Sequence, residues 1–461
     1  MSRLIIVSNR VARPDALNKG SQGGLAVGVL AAMADSGGLW FGWNGRIENR
    51  PVSEIREESR GNINFVTIGL RQNEYNNFYR GYANSVLWPL FHQRPDLMTY
   101  RHHYRMGYLG VNRKYVDHLL PYLKPDDTIW IHDYQLIPMA KMLREAGVSS
   151  PIGFFLHTPF PPLDLLRALP DHKDVLTELL NYDLVGFHTL TDERGFHEAI
   201  RYSMKGDISP SGLIDCQGHQ LQTGVYPIGI ETDDIPDLVK TGKHSKEYQQ
   251  LKLELGDRKL LIGVDRLDYS KGLFHRFKSY EQLLKNYSDF HRRVVYMQVA
   301  PTSRGDVKAY GQLAQQIDQA AGHVNGTYAD FDWTPLRYLN RGFRRNTILA
   351  LYNLAHIGFV TPLRDGMNLV AKEFVAAQDP DNPGVLILSK MAGASAELKS
   401  AIIVNPYDTE AVANHLATAI QMPLDERKDR WEQMMETLRR NDIQAWQRNF
   451  RRDLVPRPHA I

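Results

Sequence analysis

VDRLDYSKG (Val264–Gly272) follows the apolar run KLLIGV (Lys259–Val264), whose length and composition predict a buried strand. The stretch delivers two cations, Arg266 and Lys271, just past the strand end. Further along, TPLRDGMNLVAKE (Thr361–Glu373) follows a second apolar run, His356–Val360, and reads as a tight turn into a helix. Two cations and a helix start at strand ends are what a nucleotide-bound diphosphate needs. Neutralised charge makes it a better leaving group, and helix N-terminal amides form a ready anion site. The pattern predicts an open α/β sheet whose carboxyl edge carries the ligand.

Composition narrows the setting. A chain of 461 residues, 43% hydrophobic and 23% charged, predicts two or three globular domains with a large core. A formal net charge of +3 implies no strong field for nucleic acid or membrane. The lone Cys216 excludes an intrachain disulfide framework and fits a reducing, cytoplasmic compartment. The apolar run in MSRLIIVSNR is too short for a signal peptide core and reads as a first strand, and no run of eighteen apolar residues occurs.

Short apolar runs alternate with amphipathic stretches throughout. Strands are expected at Leu4–Ser8, Leu39–Trp43, Ile63–Ile68, Thr128–His132, Ile152–His157, Leu184–His188 and Val225–Ile228. A second series is expected at Leu260–Val264, Arg293–Ala300, His356–Thr361, Val385–Ser389 and Ile402–Val404. Helices are expected at Lys271–Leu284, Val307–Ala321, Leu369–Ala377 and Glu410–Gln421. This alternation predicts parallel sheets with right-handed crossovers. The polar segment Glu231–Lys246 marks a boundary between residues 1–235 and 236–441. Ile443, Trp446, Phe450 and Leu454 have helical spacing, so residues 442–461 are expected to cross back onto the first domain. Two doubly wound, Rossmann-like domains facing a cleft is the fold expected.

Each candidate site residue has two readings. Gly23 and Gly24, before the helical run Leu25–Met33, either let the backbone approach a phosphate or form a loop capping that helix. Arg10, just past the first strand, is placed to meet an anion. Tyr79 and Trp88 suit a sugar, by stacking and by a directed phenol hydrogen bond, or are core aromatics. Asp133, in WIHDY, either accepts from a hydroxyl or caps a helix starting near Gln135. His157, at another strand end before Pro159 and Pro161, is structural or lines a site. Arg266 and Lys271 bind phosphate oxygens or are solvated. Arg304, in APTSRGD, offers a third cation. Asp365 could hold sugar hydroxyls. Gly366 permits the turn, Asn368 is a plausible cap, and the amides of Met367, Asn368 and Leu369 would point at an anion. Glu373 either accepts from a ribose diol or offsets the helix dipole. D-x-D occurs at Asp330/Asp332 and Asp379/Asp381 but closes no strand, so no metal is compelled. No zinc, Walker A or nucleophile-elbow motif is present.

Taken together the motifs resemble the trehalose-6-phosphate synthases (UDP-forming), retaining glycosyltransferases of the GT-B arrangement. The matches are SNR, GG, FGW, VLWP, WIHDY, GFFLH with PFP, YPIGI, RLDYSKG, APTSRGD, TPLRDGMNLVAKE and VNPYD, in family order along essentially the whole chain. The resemblance implies that Gly23 and Gly24 approach the donor, and that Arg266 and Lys271 hold its diphosphate. Phe343, in NRGFRR, would lie by the uracil. Asp365 through Leu369 would contact the donor sugar and diphosphate, and Glu373 the ribose. Arg10, Tyr79 and Arg304 would bind the acceptor, the two arginines meeting its phosphate. Trp88, Asp133 and His157 would line the reaction centre, with Asp133 also on the acceptor. Thr158 departs from the family, many members of which carry an aliphatic residue there, beside the acceptor.

The reaction implied is transfer of glucose from UDP-glucose to glucose 6-phosphate with retention, with no cofactor or metal and with neither nucleic acid nor membrane as partner. Relatives are tetramers or dimers, so a homo-oligomer is expected. Two rivals stand beside this reading. One keeps the fold with an ADP- or GDP-glucose donor, or with glycerol 3-phosphate or a cyclitol phosphate as acceptor, as in a glucosylglycerol-phosphate synthase. The other is a non-catalytic sugar-phosphate sensor.

Overall fold

The computed structural model describes residues 3–11, 37–48, 55–302 and 308–455, with the isolated positions 30 and 33. Gly23 and Gly24 lie outside the described residues, as do Arg304 and most of the Leu25–Met33 run. The chain divides into two compact units, one running to Ile228 and including the C-terminal helix from Ile443, the other spanning Gly229–Asp442.

The first unit is a ten-stranded sheet, in the order β3-β4-β2-β1-β5-β6-β7-β10-β9-β8. Its strands are β1 (Leu4–Arg10), β2 (Gly38–Ile47), β3 (Arg56–Arg60), β4 (Ile63–Leu70), β5 (Thr128–His132), β6 (Ile152–Phe155), β7 (Leu184–Phe187), β8 (Asp207–Ile208), β9 (Leu213–Cys216) and β10 (His219–Val225). From β4 to β10 in this order all neighbours are parallel, and only the edge pairs are antiparallel. All five residues of β5 are buried, as a strand covered on both faces requires. The edge strand β3 (REESR) is exposed throughout, and its charges discourage edge-to-edge pairing. The strand expected at Val225–Ile228 ends at Val225 instead. Pro227 has no amide proton to donate to a ladder, and the residues past it leave the sheet.

The second unit is an all-parallel six-stranded sheet, in the order β13-β12-β11-β14-β15-β16. Its strands are β11 (Lys259–Val264), β12 (Val294–Val299), β13 (Leu336–Leu339), β14 (Ile357–Val360), β15 (Val385–Ser389) and β16 (Ile402–Val404). The chain enters this unit at Gly229, not at residue 236. The polar Glu231–Lys246 stretch contains helix α1 (Ile235–Gly242), which buries Ile235 and Val239 and packs on helix α2 (Arg345–Leu354) of the same unit.

In both sheets the strand order reverses at the centre. In the first, β1 and β5 diverge to opposite sides, and in the second, β11 and β14 do. Such switch points open crevices at the carboxyl ends of the strands.

The C-terminal helix α3 (Ile443–Leu454) buries Ile443, Trp446, Phe450 and Leu454 against the first sheet. Phe450 stacks on Trp130 of β5 at 4.4 Å between ring centroids, and Trp446 lies 4.7 Å from the same indole. The approach demands glycine beneath: a Cβ on Gly153 or Gly186 would sit 2.7 Å from the Phe450 ring. Phe450→Ala should therefore destabilise the first unit by about 3–5 kcal/mol, as for a large buried aromatic. A urea midpoint unchanged from wild type would contradict this packing role.

Candidate functional site

At the switch point of the second unit, the loops after β11 and β14 meet. Lys271 Nζ donates to Asp365 Oδ2 at 2.5 Å, with both side chains nearly buried. Asn368 Nδ2 donates to the same oxygen at 2.9 Å. Asn368 also begins helix α4 (Leu369–Ala376). It adopts a left-handed backbone, φ +75°, and its Oδ1 accepts from the Ala371 amide at 3.1 Å, so the expected cap is present. Arg266, on the same β11 loop, is exposed. The structure thus brings Lys271, Asp365, Gly366, Met367, Asn368 and Leu369 together at one helix N-terminus.

A residue that sequence reasoning missed sets this geometry. Arg276, wholly buried on helix α5 (Leu273–Asn286), ties three segments together. Its NH1 donates to Asp265 at 2.7 Å and to Gln298 of β12 at 2.9 Å. Its NH2 donates to the Lys271 carbonyl at 2.9 Å and its Nε to Thr361 Oγ1 at 3.2 Å. Burial lifts the Asp265 carboxyl above its ordinary range while Arg276 pulls it down. The available signal was a cation on the apolar stripe formed by Leu273, Phe277 and Tyr280.

Glu373 lies one turn into α4 and faces Arg345, the first residue of α2, at 3.6 Å. Burial raises its carboxyl above the usual range, against the opposing pull of Arg345. Phe343 follows β13, half-buried, with the Arg341 guanidinium 4.9 Å over its ring. A cavity of about 600 Å³ opens beside it, lined by Arg341, Tyr338, Leu339 and Met297 among others.

In the first unit, Trp43 within β2 joins two candidates. The Arg10 guanidinium lies 6.0 Å from its ring, and Tyr79 packs on its other neighbours at 5.9 Å from Trp43 and 5.4 Å from Tyr75. Trp88 is buried 5.8 Å from Tyr134. Asp133 does not cap the following turn. It holds φ +77° and ψ 164°, a conformation that costs a non-glycine residue about 1–3 kcal/mol, and its carboxylate accepts from the His157 amide at 3.2 Å. His157 Nε2 lies 3.1 Å from Nδ1 of the wholly buried His132. Thr158, next along, is buried. Burial pushes the His157 imidazole down to about 3 and, together with the neighbouring His157, pushes His132 well below the ordinary range.

The D-x-D at Asp330/Asp332 is an ion-paired turn. Arg292 bonds Asp330 at 3.0 Å and Asp332 at 2.6 Å, and Arg258 adds a contact to Asp332 at 3.2 Å. Among the described residues no group of histidine, cysteine or carboxylate side chains is placed to hold a metal, and no helix is long and apolar enough to cross a membrane.

Two doubly wound units, with a cation and a helix N-terminus at the switch point of the second, have the arrangement of the GT-B glycosyltransferases. Comparison with known proteins specifies the family. The model of glycosyltransferase family 20 matches residues 3–455, and the chain belongs to that family. It is 49% identical over 458 residues to a trehalose-6-phosphate synthase of Klebsiella pneumoniae, covering 98% of this chain and 95% of the relative. Among solved structures it is similar to a UDP-forming α,α-trehalose-phosphate synthase from Burkholderia xenovorans in complex with glucose-6-phosphate (TM-score 0.95, 47% identity, 98% of this chain and 100% of that one). It is equally similar to an E. coli structure bound with UDP-2-fluoro glucose (TM-score 0.95, 46% identity, 99% and 100%).

Buried neutral histidines make the fold acid-sensitive. His356, pushed to about 3 by burial and by nearby Lys259 and Arg427, takes no proton in the folded chain until far below its ordinary 6.5. The unfolded chain takes that proton from about pH 6.5 downward, so stability present above that pH is lost as pH falls toward 3. His356→Gln should reduce the slope of unfolding free energy against pH by up to about 1.4 kcal/mol per unit between pH 6 and 4. An unchanged slope in denaturant titrations would show that His356 is not held neutral.

Proposed function

We propose that this glycosyltransferase moves glucose from UDP-glucose to glucose 6-phosphate, releasing UDP and forming α,α-trehalose 6-phosphate with retention at the anomeric carbon. The observation that carries the reading is the Lys271–Asp365–Asn368 constellation at the N-terminus of α4, with Arg266 on the adjoining loop. It supplies positive potential where a departing UDP accumulates charge. The ligands named in the two solved relatives supply the substrate pair.

The roles are those the family resemblance implies, each with a chemical reason. Arg266 and Lys271 neutralise the diphosphate, and the amides at Met367–Leu369 add directed donors. Asp365, already bonded to Lys271, orients that ammonium and accepts from sugar hydroxyls. Glu373, set by Arg345, takes the ribose diol, and Phe343 stacks by the uracil. Arg10 and Tyr79, joined through Trp43, hold the acceptor, and on the family resemblance Arg304 adds a cation for its phosphate. Asp133 and His157 address sugar hydroxyls at the reacting end, with Trp88 and Thr158 shaping the wall. Gly23 and Gly24 bring backbone to the donor. The substrates suffice without cofactor or metal, and a homodimer or tetramer in the cytoplasm completes the proposal.

The test is UDP release from purified protein with UDP-glucose, with and without glucose 6-phosphate, and NMR identification of the sugar product. Acceptor-dependent UDP and an α,α-1,1-linked disaccharide phosphate are expected. Turnover only with another nucleotide or acceptor would replace the substrates, and binding without turnover would make the protein a sensor. Lys271→Ala should lower turnover about 10²–10³-fold. A kcat/KM within threefold of wild type would remove Lys271 from the diphosphate site.

A further inference from the structure

His132 is an unusual residue to find wholly buried at the carboxyl end of a central strand. Its ring lies among Trp130 at 4.7 Å, Trp446 at 6.2 Å and His157 at 5.3 Å. Its Nδ1 is 3.1 Å from His157 Nε2, and its Nε2 is buried with no hydrogen-bond partner among the described residues.

Two neutral imidazoles share one proton across such a contact, and the orphan nitrogen decides who donates. If His132 carried its proton on Nε2, a buried N–H would be stranded among aromatic rings, a rarer and costlier arrangement than a stranded lone pair. The proton therefore sits on His132 Nδ1 and is donated to His157 Nε2. His157 must then carry its own proton on Nδ1. The backbone adds a second restraint on His157. Asp133, the next residue, is held in a strained conformation from which its carboxylate accepts from the His157 amide at 3.2 Å. Consecutive residues thus clamp His157 at two points, ring and main chain.

We propose that His132 is a positioning residue for the glycosyl transfer: by donating to His157 Nε2 it fixes His157 in the Nδ1–H tautomer, so that His157 offers a hydrogen-bond donor to a sugar oxygen. The role in transfer rests on the function proposed above. The tautomer does not.

The test uses the full-length protein labelled with ¹⁵N-histidine, with the His157 signals assigned by their loss in His157→Gln. Wild type should show His157 protonated at Nδ1. His132→Asn places an amide N–H where Nδ1 was and should keep both the tautomer and turnover within about threefold of wild type. His132→Leu fills the space without a donor. It should leave a mixture of His157 tautomers and lower kcat about 10–100-fold, the range for loss of an orienting partner, with KM for both substrates nearly unchanged. An Nε2–H His157 in wild type overturns the proposal even if His132→Leu fails to fold. So does a folded His132→Leu variant that keeps the tautomer or full turnover. If wild type transfers no glucose between these substrates, the function reading fails while the spectrum still decides the histidine pair.

Discussion

A single guanidinium with no access to water organises the second unit. Arg276 bonds the end of β11 through Asp265, the adjoining strand β12 through Gln298, the Lys271 carbonyl and the end of β14 through Thr361. A buried cation is costly unless every proton is directed at a partner. Here three of the four partners lie in loops just past β11 and β14, so satisfying the charge and fixing those loops are one event. Lys271 is thereby presented to Asp365, and Asp365 to Asn368, whose left-handed backbone starts α4. The loop is pinned from the far side too, because the Ala394 amide donates to the Met367 carbonyl at 2.8 Å.

The first unit solves the corresponding problem with aromatic packing. Trp130, Phe155, Trp446 and Phe450 form a dry wall behind the ends of β5 and β6. That wall keeps His132 and His157 neutral and leaves them few orientations. Further along the same edge, Trp43 spaces Arg10 from Tyr79. The chemistry is polar but the positioning is done by rings, which lose little rotamer freedom when buried.

Much of this was legible in the chain because parallel strands write themselves as continuous apolar runs. Thr128–His132, Val385–Ser389 and Ile402–Val404 read as strands and form them with the same ends. Two of the edge strands were not legible: REESR at β3 has no apolar residue, and β13, Leu336–Leu339, is too short and half-exposed to stand out. Strand-end placement singled out Arg266, Lys271, Asp133, His157 and the Asp365–Glu373 stretch as candidates. It did not single out Arg276 or Arg345, which lie on helices, or His132, which ends β5 but acts through another side chain. The cap proposed for Asp133 failed because a local motif cannot show that its carboxylate turns instead to an amide just past the end of the neighbouring strand.

The central claim is that the cations at the β11 end act on a diphosphate. Calorimetric titration of UDP and of uridine into wild type and Lys271→Met separates that from a general packing effect. The account predicts that the substitution weakens UDP binding by about tenfold or more, as loss of a charge-assisted contact should, while uridine binds both proteins alike. UDP affinity unchanged by the substitution, or uridine and UDP weakened equally, would contradict it.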